Sequence, residues 1–132
     1  MSSGTGSKVE GNVIDLGTDW VVEAMECDGP SLRDRARVEA FIDTVMGALS
    51  LRAAAPRMVH VFPGHAGVTA LELLTESHLA IHTFPEHQAL TLNLYCCKRR
   101  PSFDWAVALR EAFGARRVVV RELRREVEGP RP

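Results

Sequence analysis

The chain has few cysteines, few aromatic residues and no long apolar run among its 132 residues. Its three cysteines cannot all pair, and its first residues lack the basic and apolar segments of a signal peptide, so we expect a cytoplasmic location. No apolar run approaches the roughly 18 residues of a membrane span. Lysine and arginine total 16 against 17 aspartate and glutamate, so no positive field favours nucleic acid. We therefore expect neither a membrane nor a nucleic-acid partner.

The residues that are present suit one globular domain, with 45% hydrophobic and 25% charged residues. We expect a flexible leader at residues 1–16, where the opening segment is small and polar, a single domain at 17–125 and a loose tail at 126–132. A short basic run, Lys98-Arg99-Arg100, is typical of a solvated surface.

Alternating and helical patterns predict the secondary structure. Strand-like segments occur at residues 19–28, 58–62, 68–75, 89–95 and 118–123. Helical spacing predicts two helices, one near residues 32–51 capped by Ser31 and another capped by Ser102 and ended by Gly114. This order of elements predicts an α+β sandwich, a mostly antiparallel sheet with both helices packed on one face.

The alternation of the strand at residues 89–95 separates two adjacent thiols when it is continued. Leu90, Leu92 and Leu94 share one face, and Cys96 falls on that face, which predicts a core position. Cys97 falls on the polar face, where a reactive thiol could meet a ligand.

One block of sequence points to a specific chemistry. Residues 75–86 read TESHLAIHTFPE, and the two cysteines follow. This block is similar to the ESH..IHTWPE block, with its following cysteine, of the bacterial S-adenosylmethionine decarboxylases, proenzymes that build a pyruvoyl group from the serine. The resemblance covers residues 68–97 well, and the VVEAMECD strand and the C-terminal helix and strand more loosely.

The resemblance implies a role for each matching residue. Ser77 would be the precursor of the pyruvoyl cofactor, His82 the processing histidine and Cys97 the catalytic proton donor. Cleavage would fall between Glu76 and Ser77, and Thr69 keeps the hydroxyl of a serine that supports processing in the family.

The family also suggests a substrate surface and an assembly. Glu23 and Glu86 match acidic positions that face the substrate, a small cationic amine. The family's fold is an α/β sandwich, and its short bacterial members act as dimers with active sites at the subunit interface. The resemblance therefore implies a homodimer of cleaved protomers.

The chemistry of such a bond follows from its neighbours. The serine hydroxyl attacks the preceding carbonyl, and the amide becomes an ester by an N-to-O acyl shift. A base, for which His82 is the candidate, then removes the Ser77 Cα proton, and the Glu76 carboxylate leaves by β-elimination. The dehydroalanine that remains tautomerises and hydrolyses to a pyruvoyl group, releasing ammonia. The pyruvoyl ketone would bind a substrate amine as a Schiff base and accept the electrons released on decarboxylation.

Several positions depart from the family pattern, and alternatives stay open. The differences are Thr69 for Ser, Phe84 for Trp, His87-Gln88 for Gly-Tyr, Asn93 for Asp and Lys98 for Gly. The pocket differs more than the reacting groups, so the substrate is S-adenosylmethionine or, alternatively, arginine or ornithine. A further alternative, of another class, is a non-processing paralogue that regulates a partner decarboxylase.

We predict no metal site. Adjacent cysteines on opposite faces of a strand cannot readily chelate one ion. The residues considered are His60, His65, His78, His82, His87, Cys96 and Cys97.

Overall fold

The structure, a computed structural model, describes residues 12–130. Within this part of the chain six strands form one sheet in the order β2-β3-β4-β5-β1-β6, and every neighbouring pair is antiparallel. The strands are β1 (Val13–Met25), β2 (Met58–Val61), β3 (Val68–Leu74), β4 (Ser77–Phe84), β5 (Ala89–Cys96) and β6 (Arg117–Glu128). The predicted fold class is confirmed.

Three helices accompany the sheet in the described residues, and their caps differ from the prediction. They are α1 (Gly29–Leu32), α2 (Arg35–Ala48) and α3 (Trp105–Phe113). The carboxylates of Asp34 and Asp104 cap α2 and α3, so the predicted caps Ser31 and Ser102 were wrong. Ser31 lies inside α1 and donates its hydroxyl to the Asp28 carbonyl instead. Gly114, with φ of +68°, ends α3 as predicted.

Alternate residues of the strands bury one face of the sheet beneath the helices. Phe41, Ile42, Leu109 and Phe113 of the helices are buried in the same core. The strand residues of this core are Val22, Ala24, Val68, Ala70, Leu74, Leu79, Ile81, Leu90, Leu92, Leu94 and Cys96. We call the opposite side of the sheet the open face; it carries Asp19, Glu23, Thr69, His78, His82, Thr91, Asn93 and Tyr95.

The long ladder between β1 and β6 extends beyond both expected ends of the domain, residues 17 and 125. It runs from the pair Val13 and Glu128 to the pair Met25 and Arg117. Residues 13–15 and 126–128 were expected to be flexible, but their backbones pair in this ladder, and this part of the expectation is corrected. Residues 1–11 and 131–132 lie outside the described residues. No helix of the described part is long and apolar enough to cross a membrane.

A buried carboxylate, Glu72, interrupts the apolar side of β3. The guanidinium of Arg57 donates to Glu72 at 2.6 Å, to Asp43 at 2.5 Å and to Glu39 at 3.1 Å. Burial alone would lower the pKa of Arg57, but the hydrogen bonds to Asp43, Glu72 and Glu39 raise it above its ordinary value. The ion-pair cluster therefore joins β3 and the residue before β2 to α2.

Candidate active site

A threonine and a histidine form a hydrogen-bonded pair on the open face. Thr69 of β3 and His82 of β4 are direct cross-strand partners, and Thr69 Oγ1 lies 2.9 Å from His82 Nδ1. The β-ladder therefore sets the separation of these two side chains. The Thr69 hydroxyl therefore holds the imidazole ring in one orientation.

The pair opens into a cavity of about 370 Å³. Phe62, His65, Phe84 and Glu86 line it together with Thr69 and His82. Gly67 permits the close strand approach at its base, because a Cβ there would lie 2.7 Å from the Thr83 carbonyl oxygen. The volume is within the usual range for small-molecule sites.

The Glu76–Ser77 bond lies at the turn between β3 and β4, where the backbone is unusual. Ser77 has φ of +152°, a conformation that costs a non-glycine residue about 1–3 kcal/mol. Its Oγ is buried and has no hydrogen-bond partner. The Glu76 carbonyl accepts a hydrogen bond from the Cys97 N–H at 3.0 Å. An unpaired hydroxyl thus neighbours a carbonyl polarised by a fixed N–H donor.

One protomer does not bring Ser77 and His82 together. They lie five residues apart on β4, about 16 Å of extended strand. Ser77 shares the alternation of the buried residues Leu79 and Ile81, whereas His82 is on the open face. His82 therefore cannot reach the Ser77 of its own chain.

The two adjacent thiols have different environments, in agreement with the alternation. Cys96 is fully buried, and burial raises its pKa although the nearby Arg100 guanidinium opposes the change. Cys97 is exposed, and its N–H points at the Glu76 carbonyl. Gly17 makes this corner compact, since a Cβ there would lie 2.1 Å from the Cys96 carbonyl oxygen.

The two predicted substrate carboxylates occupy different places. Glu86 lines the cavity beside His82 and keeps 30% of its side chain exposed. Glu23 lies in the same cross-strand row, two strands from His82, but the Arg121 guanidinium binds it at 2.6 Å. Of these two carboxylates, Glu86 is the one that lines the cavity, and its Oε2 lies 4.0 Å from His87 Nε2.

The sequence did not predict two groups of polar contacts that the structure shows. On the open face, the side-chain N–H of Asn93 donates to Asp19, and Asn93 Oδ1 accepts from His78 Nε2. Arg125 binds Asp19 at 3.1 Å. Next to the Glu76–Ser77 bond, Lys98 and Arg100 both contact the Glu76 carboxylate. The basic run Lys98-Arg99-Arg100, which we interpreted as solvated surface, directly follows the two cysteines. That position in the sequence could have indicated the second group of contacts.

The histidines show no metal-binding geometry. His78 and His82 are four residues apart, which suits one metal ion on a helix but separates them by about 13 Å on a strand. Within residues 12–130, no group of three or more His, Cys, Asp or Glu side chains is arranged to hold an ion.

The fold and the site define a two-layer α+β protein with a helix-free polar sheet face and a strained Glu-Ser bond at a hairpin turn. The profile of the S-adenosylmethionine decarboxylase family matches residues 18–126. The chain therefore belongs to this family, and the resemblance of its TESHLAIHTFPE block is confirmed.

Curated relatives and a solved structure agree with this assignment. A protein of Parasynechococcus marenigrum (strain WH8102) named S-adenosylmethionine decarboxylase proenzyme is 35% identical over 115 residues, 84% of this chain and 86% of that protein. A protein of the same name from Pyrococcus furiosus is 30% identical over 117 residues, covering 86% and 81%. The crystal structure of the adenosylmethionine decarboxylase from Aquifex aeolicus covers 89% of this chain and 94% of its own, with a TM-score of 0.69 and 21% identity, and shares the fold.

Proposed function

We propose that this chain is a self-processing proenzyme that cleaves between Glu76 and Ser77 and then decarboxylates S-adenosylmethionine with a pyruvoyl group made from Ser77. The observation that carries the proposal is the Glu76–Ser77 bond itself. Its serine is strained, its hydroxyl is unpaired, and its carbonyl is held by the Cys97 N–H. The family membership supplies the reaction class, and we place the enzyme in the cytoplasm.

The residues around the bond fit the processing chemistry. Attack of Ser77 Oγ on the Glu76 carbonyl carbon develops negative charge on the carbonyl oxygen, and the Cys97 N–H is already aimed at that oxygen. Relief of the backbone strain at Ser77 favours breaking the C–N bond. The pyruvoyl group, once formed, supplies an electron sink for decarboxylation. Cys97 lies opposite Glu76, where its exposed thiol can return a proton to the substrate carbon.

The cavity beside His82 favours S-adenosylmethionine over arginine or ornithine. Phe62 and Phe84 offer aromatic faces for a nucleobase and a sulfonium, and Glu86 supplies a negative charge. Arginine and ornithine have no ring to stack there. The alternative substrates are also not favoured by the family assignment, since the matched profile and the relatives named above are S-adenosylmethionine decarboxylases.

A dimer completes the site, because His82 is too far from Ser77 within one chain. We propose that two copies pack their open faces together, which carries the Thr69–His82 pair of one protomer towards the main chain of the Glu76–Ser77 bond in its partner. The open face exposes the large apolar side chains Met58, Leu71, Leu73 and Leu123, which a second sheet would cover.

The test is the denatured intact mass of the purified protein. Two fragments that meet between Glu76 and Ser77, with the second lighter by one ammonia than the same peptide beginning with an intact serine, would support the proenzyme proposal. Carbon dioxide release from S-adenosylmethionine, compared with arginine and ornithine at equal concentrations, then tests the substrate. An uncleaved chain that still folds would favour the regulatory paralogue.

A further inference from the structure

Two cations hold the side chain of the residue that precedes the cleavage bond. The Arg100 guanidinium contacts Glu76 Oε1, and Lys98 Nζ lies 3.3 Å from Glu76 Oε2. Arg100 keeps only 17% of its side chain exposed, compared with 73% for Lys98. We call Lys98 and Arg100 the Glu76 clamp, in which Arg100 is the shielded and therefore stronger member.

The position of Arg100 differs from that of a surface arginine. Its Nε is buried without a hydrogen-bond partner, and its guanidinium also lies close enough to Cys96 to oppose the rise of the thiol pKa. Cys96 is the cross-strand partner of Ser77. Arg100, which belongs to the segment that links β5 to α3, therefore lies beside both residues of the Glu76–Ser77 bond.

The clamp and the sheet hold Glu76 at two separate points. The Cys97 N–H fixes the main-chain carbonyl at 3.0 Å, and Arg100 fixes the carboxylate. A residue held at both ends cannot rotate its carbonyl away to relieve the positive φ of the following serine. The attacking hydroxyl and the carbonyl carbon consequently stay in one geometry, and small losses of such alignment reduce rates strongly.

We propose that Arg100 is a positioning residue for self-cleavage, acting through the Glu76 carboxylate; this inference rests on the proposed function. The clamp has a second consequence after the reaction. Cleavage turns Glu76 into a C-terminal residue with a new carboxylate, and Lys98 and Arg100 offset the added negative charge beside the new chain end.

The test follows cleavage over time during cell-free synthesis, with the two fragments separated on a denaturing gel. Arg100→Gln should cleave at least tenfold more slowly than the wild type, and Arg100→Lys should recover part of the rate. Arg99→Gln, a change at the exposed neighbouring arginine, is the matched control and should cleave normally. In a Glu76→Gln background, Arg100→Gln should add less than a twofold effect, because its partner is already gone.

The outcomes separate this inference from the proposed function. A wild-type chain that stays whole would overturn both. A wild type that cleaves while Arg100→Gln cleaves equally fast, or an Arg100→Gln effect that persists undiminished in Glu76→Gln, would overturn the inference alone. Thermal unfolding of uncleavable Ser77→Ala chains with and without Arg100→Gln should differ by a few degrees at most, which excludes loss of the fold as the cause of slow cleavage.

Discussion

Replacing His82 by alanine should stop a chain from being cleaved, and a partner chain with an intact His82 should restore its cleavage. Ser77 and His82 are separated by about 16 Å along β4, whereas a general base must come within about 3.2 Å of its proton or act through one water. Losing a general base costs about 10²- to 10⁴-fold in rate, or about 3–5 kcal/mol.

The assay pairs two defective chains with different affinity tags. One chain carries His82→Ala with its serine intact, and the other carries Ser77→Ala with its histidine intact. The two are coexpressed, the heterodimer is purified through both tags, and its chains are separated on a denaturing gel. We expect cleavage of the His82→Ala chain in the heterodimer and little cleavage in its homodimer.

Two results would refute this reasoning. A His82→Ala homodimer that cleaves at the wild-type rate would show that another group is the base. A folded heterodimer in which the His82→Ala chain stays whole would show that the partner does not supply the imidazole. His87→Ala is the control, because His87 is exposed and lies outside the cavity.

Three further predictions address the open face, the core and the thiols. Thr69→Val should slow cleavage about tenfold or more, whereas Thr69→Ser should cleave near the wild-type rate, because the hydroxyl is the group that holds His82 Nδ1. The rate at which the two fragments appear on a denaturing gel measures the effect. Arg57→Met should lower the free energy of unfolding by about 3–5 kcal/mol, because Glu72 would stay buried without its partner. The control Arg35→Met removes the exposed Arg35–Glu39 pair and should lower it by about 1 kcal/mol or less; urea unfolding of both variants in a Ser77→Ala chain measures the difference. Iodoacetamide at pH 8 should label the exposed Cys97 well before the other thiols, because burial raises the pKa of Cys27 to about 11 and also raises the pKa of Cys96. Equal labelling of the three thiols in the native protein would contradict the buried positions of Cys27 and Cys96.

Patterns set by burial were predictable from the sequence, because they repeat along the chain. The alternation of Leu90, Leu92 and Leu94 predicted both the buried face of β5 and the burial of Cys96. The ends of the elements were harder to predict. Three possible caps, Asp28, Ser31 and Asp34, follow one another at intervals of three residues, and the choice among them depends on where α1 packs.

The candidate site was predictable only in part, because its residues meet through the sheet register. The motif named Ser77, His82 and Cys97, but the distance between Ser77 and His82 appears only once β4 is known to be one straight strand. The Glu76 clamp likewise needs the segment after β5 to fold back towards the turn before β4. A basic run alone does not show whether it points into water or at a carboxylate.

The position of the Glu76–Ser77 bond in the sheet explains how the proposed self-cleavage would leave the fold intact. Cleavage after Glu76 would place β1, β2 and β3 in one fragment and β4, β5 and β6 in the other. The strands of the two fragments are interleaved in the sheet. Three ladders therefore join the fragments: β3 with β4, β5 with β1 and β1 with β6. The core also mixes residues from both fragments, such as Val22 with Leu92 and Phe41 with Phe113. Because the bond joins the turn residue Glu76 to Ser77, the first residue of β4, its breakage would affect only the end of the β3–β4 and β4–β5 ladders and leave their other pairs in place.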